Sequence, residues 1–128
     1  MESITQNIGF MNGSLELTEI QNRVAIVFHF EGLLTQQKAQ EYVKQWHKIF
    51  LSHNKEKIII VFNASQMSDY QPMARVVFQT AIKELKTQID SIWVISNSKV
   101  IKAGAALMSI FSSFQIATVG SLDDIKMK

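Results

Sequence analysis

Cysteine is absent from the 128 residues, which excludes disulfides, thiolate metal sites and a cysteine nucleophile. Proline occurs once, and the five glycines are scattered, so there is no glycine-rich loop to cradle a phosphate. Neither sign of charge dominates. Thirteen Lys and Arg stand against eleven Asp and Glu, a net charge of +2, and no nucleic-acid partner is expected from so weak a field. No apolar run approaches the roughly 18–20 residues needed to cross a bilayer. Met1, Glu2, Ser3 and Ile4 show neither the basic nor the apolar region of a secretory signal. The expectation is a soluble, cytoplasmic protein. What is present is apolar mass, 47% of residues against 19% charged, enough for one domain with one core.

The clearest segment is 57–71, KIIIVFNASQMSDYQ. Ile58, Ile59, Ile60, Val61 and Phe62 form a continuous β-branched and aromatic run, the pattern of a strand buried on both faces. The polar residues after Phe62 predict a loop over 63–71, ended by Pro72 in the first turn of a helix. Open α/β sheets carry their sites where strand ends meet the next helix, so this segment is the first candidate site.

Around it, residues 1–13 read as an irregular arm with room for one edge strand. Residues 15–20 alternate apolar and polar, as a strand with one wet face does. Gln21 and Asn22 make a tight turn into a second strand over 23–30, which Gly32 closes. Thr35 suits the N-cap of a long helix with Ala39, Tyr42, Val43, Trp46, Ile49 and Phe50 on one face. A second helix spans 72–87, a strand 91–95, a third helix 99–113 and a short strand 115–119, with a last helical turn over 122–127. The order predicts a single α/β domain over 14–128. Its mixed sheet begins with an antiparallel hairpin and continues as parallel units with right-handed crossovers. Helices on the sheet faces would make it three-layered.

Three stretches resemble the STAS superfamily, the fold of anti-sigma-factor antagonists and of sulphate-transporter cytoplasmic domains. Residues 27–35 (VFHFEGLLT) resemble that family's second strand and its passage into the first helix. Residues 57–69 resemble its central strand and switch loop. Residues 96–110 with 114–119 resemble its last helix and strand. The likeness covers about 14–125 and is nearest the uncharacterised bacterial branch grouped with STAS and CRAL-TRIO domains. It implies a regulatory, protein-binding role without catalysis or cofactor. In the signalling members a serine in an Asp-Ser-Ser-Gly sequence begins the helix and is phosphorylated. Here the matching place reads Met67, Ser68, Asp69, Tyr70, Gln71, without paired serines or glycine. Ser68 is the positional match and Ser65 a weaker one. Either Ser68 is modified, or Ser68 or Asp69 caps the helix or bends the loop.

Other constellations are thin. His29, His47 and His53 do not converge as zinc ligands must, and no metal is expected. Ser65 and Ser68 lack the Gly-x-Ser-x-Gly elbow of a nucleophile, so an enzyme acting through Ser68 and Asp69 is the least supported reading. The third helix is apolar nearly all round. Burial explains that, or an exposed patch of Leu107, Met108, Phe111 and Phe114 beside Lys99 and Lys102. Such a patch would meet a protein partner or a second copy, or touch lipid peripherally.

The functional expectation is a non-enzymatic regulatory module. It would present Asn63, Ser65, Ser68, Asp69 and Tyr70 and the start of the third helix to a partner, without the standard phosphorylatable motif. The alternative is a carrier or sensor of an apolar, lipid-like ligand held between the last two helices and the sheet. Phe78, Ile82, Leu107, Met108 and Phe111 would line that site.

Overall fold

Alternation along the N-terminal strands sets the sheet's two faces. Leu15 and Leu17 point one way, and Glu16 and Thr18 the other. The computed structural model describes residues 6–10 and 13–126. Its strands are β1 (Gln6–Phe10), β2 (Gly13–Ile20), β3 (Arg23–Leu34), β4 (Ile58–Tyr70), β5 (Ile89–Ile95) and β6 (Ile116–Val119). Helices α1 (Gln36–Ser52), α2 (Pro72–Leu85) and α3 (Lys99–Ser112) follow β3, β4 and β5. All six strands form one sheet in sequence order. β1, β2 and β3 are antiparallel neighbours, and β3 to β6 run parallel. Of the expected arm 1–13, residues 6–10 form edge strand β1 and Gly13 begins β2, while 1–5, 11 and 12 lie outside the described residues. Gln21 and Asn22 both take positive φ, as a two-residue hairpin turn with the sheet's own twist requires.

The α/β class, the mixed sheet and the order of elements are as the sequence implies. The layer count is not. Buried residues of all three helices join one core with Ile26, Phe28, Ile60 and Phe62, whereas Ala25, Val27, Ile59 and Val61 on the other face meet no helix. The arrangement is two-layered. Right-handed crossovers put a helix on opposite faces only if the strand order reverses direction. Here it advances one way from β3 to β6, so every helix falls on the same side. The second face is covered by the C-terminal segment. After a 3-10 turn at Leu122–Asp124, Ile125 packs on that face, and its carbonyl accepts from Gln21 Nε2 at 3.1 Å.

The core is aromatic. Phe28 has the rings of Tyr42, Trp46, Phe62 and Phe78 within 5.9 Å of its own, from β4 and from both α1 and α2. Helix α1 is capped by Thr35 as expected, its hydroxyl accepting from Lys38 N–H at 3.2 Å. Helix α3 is capped in the same way by Ser98.

Tyr42 is fully buried, and its hydroxyl donates to the His29 carbonyl at 3.0 Å. Burial pushes its phenol up to about 12, Glu31's charge adds to the rise, and a backbone hydrogen bond at Ser14 works against it. An unfolded tyrosine releases its proton near pH ~10, so between about pH 10 and 12 the native state binds more protons than the unfolded chain. Tyr42's contribution is therefore whole below about pH 10 and is lost as pH rises through about 12. Unfolding free energies from denaturant titrations from pH 9 upward should fall more steeply for the parent than for Tyr42→Phe, by about 2–3 kcal/mol in all. Parallel declines would contradict this.

Candidate functional site

Beyond Phe62 the structure departs from the expected loop. Strand β4, 13 residues long in all, continues to Tyr70, paired with the end of β3. Gly32 does not close β3 but sits within it at φ +65, a conformation glycine adopts without strain. Between the pairs His29–Asn63 and Glu31–Gln66, β3 advances two residues and β4 three. A second extra β4 residue enters between Gly32–Met67 and Leu33–Asp69. These two bulges turn an ordinary strand into a ribbon in which Ala64, Met67 and Tyr70 face the core while Ser65, Gln66, Ser68 and Asp69 are exposed.

The ribbon ends at a junction of both helices. Gln71 is the N-cap residue of α2, yet its side chain makes no cap bond there. Its Oε1 accepts from Gln36 N–H at the start of α1 at 2.8 Å, and its own N–H donates to the Leu34 carbonyl at 2.9 Å. Neither Ser68 nor Asp69 caps α2. Asp69 Oδ1 accepts from the Tyr70 N–H at 2.7 Å, and Ser68 lies exposed on the ribbon three positions before the N-cap. A phosphate on Ser68 would therefore stand ahead of the first turn of α2 rather than on it.

On the sheet's second face, the same ribbon starts a chain of polar side chains. Asn63 Oδ1 accepts from both the N–H and the hydroxyl of Ser65, at 3.2 and 2.7 Å. That leaves Asn63 Nδ2 to donate to His29 Nδ1 at 3.1 Å, so the His29 proton resides on Nε2, which faces Glu16 Oε1 at 2.9 Å. His29 pairs with Asn63 across the parallel strands, and Glu16 is its diagonal neighbour on β2. The chain links three strands, but the imidazole does not touch the serine, so it is no nucleophile–base pair. The other histidines stand apart, His47 3.9 Å from Glu84 and His53 3.4 Å from Glu56. Among the described residues no three His, Asp or Glu side chains gather as metal ligands.

On the helix face, the ribbon roofs a cavity of about 50 Å³ between β4, α2 and α3, partly open to solvent. Phe62, Met67, Phe78, Val94, Ile101 and Met108 supply apolar walls. Tyr70 closes over Gly104, where a Cβ would meet its hydroxyl oxygen at 2.5 Å, so α3 has no side chain at the approach. Of the expected ligand lining, Phe78 and Met108 reach this cavity, whereas Ile82, Leu107 and Phe111 do not. Arg75, which the sequence reading passed over, does.

Helix α3 explains the rest. Ile101, Gly104, Ala105, Met108 and Ser112 are its buried side, at helical spacing. Leu107 and Phe111 lie on the other side, 40% and 56% exposed, with Val100 at 60% and Ile110 at 70%. Of the four apolar residues named for the patch, Leu107 and Phe111 are exposed. Met108 is buried and Phe114 packs partly on the core, whereas Val100 and Ile110 complete the stripe. Lys99 and Lys102 are exposed at the start of the helix.

The Asn63 relay makes a direct prediction. Nitrogen NMR of the parent should report the Nε2–H tautomer of His29. Asn63→Ala should lower stability by about 1–2 kcal/mol through the lost bonds and change the His29 ring signals. Unchanged ring signals would contradict the relay.

No protein-family model matches the chain, and no curated protein matches it in sequence. Among solved structures, it is similar to an uncharacterised protein from the DUF3478 family of Shewanella loihica PV-4, which has a SpoIIAA-like fold. The two superpose with a TM-score of 0.65 over 93% of this chain and 94% of that one, at 8% sequence identity. At that identity the likeness concerns the fold alone, and it agrees with the strand order and helix placement described above: the chain has a SpoIIAA-like α/β fold.

Proposed function

We propose that this chain works by binding, as a non-enzymatic regulatory module in which a protein partner docks on the outer face of α3. The observation that carries this reading is the stripe of Val100, Leu107, Ile110 and Phe111, four large apolar side chains exposed together on one helix. Single exposed apolar residues are ordinary, but a contiguous set on one element is the usual mark of an interaction surface. Lys99 and Lys102 supply a charged rim, the arrangement of an apolar centre with a polar edge. The exposed Ser65, Ser68 and Asp69 on the ribbon offer polar contacts at the end of the same sheet. The SpoIIAA-like fold supports the regulatory reading only as an architecture, and the setting we propose is cytoplasmic.

A second reading is favoured by a separate observation, the apolar cavity beneath Met67 and Tyr70. In it the protein carries or senses an apolar small ligand between α2, α3 and the sheet.

The first reading is tested with Leu107→Asp/Phe111→Asp, which changes exposed positions and should leave the thermal midpoint within a few degrees. Tagged parent and variant would be recovered from host cells by affinity and compared by quantitative mass spectrometry, with light scattering for self-association. A specific partner, or a second copy, should be retained at least about tenfold less by the variant. Equal retention would remove α3 as the docking face. Retention of the parent on anionic vesicles, with no protein partner, would replace the protein with a lipid surface.

A further inference from the structure

The cavity is apolar except at one point. Arg75, in the fourth position of α2, contributes the only ionisable group that the described residues bring to it apart from the Tyr70 phenol. Its Nη1 donates to Gln79 Oε1 at 2.7 Å, whereas its Nε is buried and has no partner. A guanidinium is a permanent cation, and a buried N–H without an acceptor is destabilising by about 1–3 kcal/mol, more when the group is charged. The location adds to the strain. The first turn of α2 carries no acidic side chain, and a cation near a helix N-terminus opposes the helix dipole. The neighbouring Ala74 and Phe78 belong to the apolar core, whereas Arg75 does not.

We propose that this cavity binds an amphiphile with a carboxylate head and an alkyl chain, and that Arg75 is the residue that receives the head. The proposal rests on the second reading above and names its ligand class. A carboxylate approaching the Nε edge of Arg75 would take two parallel N–H bonds, from Nε and Nη2, while the existing bond to Gln79 holds Nη1 in place. One carboxylate thus satisfies the orphaned donor, neutralises the cation and offsets the dipole together. The chain would enter between Phe62, Met67, Phe78 and Met108, where every wall is apolar and the two methionines can adjust to its shape. The space, about 50 Å³, corresponds to roughly four water-sized groups and is partly open to solvent, so the first carbons of a medium-length chain would fill it while the rest lies in the opening. A cationic ligand is disfavoured by Arg75. A neutral one, such as an alcohol, could accept a single bond from Nε but would leave the guanidinium charge unmatched and the second donor free.

The test compares octanoate with 1-octanol on the full chain, followed by calorimetry and by the methyl NMR signals of Met67 and Met108. Met73, half exposed on the outside of α2 and not in the cavity, is the internal control. Octanoate should bind at least about tenfold more tightly than octanol and shift Met67 and Met108 but not Met73. Arg75→Met should abolish that preference while leaving octanol binding within about twofold, and Arg75→Lys should keep part of it. Thermal melts of both variants report whether the fold is intact. Equal binding of octanoate and octanol to the parent, or an octanoate preference that survives in Arg75→Met, would overturn the role of Arg75 while leaving the apolar-ligand reading in place. Failure of both probes to shift Met67 and Met108 would overturn the two together.

Discussion

The direction in which the sheet grows is the constraint that orders everything else in this protein. Each β-α-β unit after the hairpin adds its strand on the same side of the last one, and right-handed crossovers then leave the helices no choice of face. Three helices side by side can bury a broad apolar surface. The residues that meet there, Phe28, Tyr42, Trp46, Phe62 and Phe78, are large because they must fill the gap between α1, α2 and the central strands. The same rule leaves the second face without a helical layer. Ala25, Val27, Ile59 and Val61 still need removal from water, and the C-terminal segment, anchored by Ile125, covers them. A sheet that is strongly apolar on both faces can therefore belong to a two-layer protein, provided some other segment lies across it.

The ribbon formed by the ends of β3 and β4 follows from the same architecture. Past the ends of β2 and β5 it has no further strand partner among the described residues, so two bulges can twist it without disrupting the sheet. Each bulge rotates which side chains face the helices. The result is one element with two chemistries. Asn63 and Ser65 continue the polar relay on the second face, while Met67 and Tyr70 turn inward to roof the cavity. Gly104 permits this closure because any side chain there would displace the Tyr70 hydroxyl.

How legible these features are in the sequence depends on whether their cause is local. Helix α1 is readable because Ala39, Tyr42, Trp46, Ile49 and Phe50 repeat at helical spacing and Thr35 stands where a cap should. The core of β4 is readable because five apolar residues in a row admit few alternatives. The ribbon is not. Its inward residues, Ala64, Met67 and Tyr70, recur every third position, a period that belongs neither to a regular strand nor to a helix, and the polar residues between them look like a loop. The number of layers was equally hidden, because strand order is a property of long-range pairing and leaves no trace in any window of residues. His29 shows the same limit at a single site. Its partners Glu16 and Asn63 come from two other strands and are brought to it only by register. Arg75 carries no local signal either, as an arginine in a helix is usually a solvated one. Its meaning comes from the cavity beside it. On α3, apolar residues all round the helix left burial and exposure equally open, and only the position of Gly104 against Tyr70 settles which side is inner.

The docking proposed on α3 and the ligand binding proposed for the cavity would use opposite sides of one helix, so whether they are coupled depends on whether α3 moves. Ile101, Gly104 and Met108 face the cavity, and Val100, Leu107 and Phe111 face outward. A ligand that enters between α2 and α3 must either fit the space beneath Tyr70 or move α3, since packed side chains yield as units rather than by degrees. If α3 stays in place, the outer stripe is unchanged and the two events are energetically separate. If it moves, the stripe moves with it, and linkage then requires that a partner on the outer face alter ligand affinity by the same factor that the ligand alters partner affinity. The size of that factor is bounded by how differently the partner contacts the two positions of α3, not by how tightly the ligand binds. An architecture that puts all its helices on one face makes such coupling available through a single helix, whereas a three-layer sheet would place a rigid strand layer between the two events.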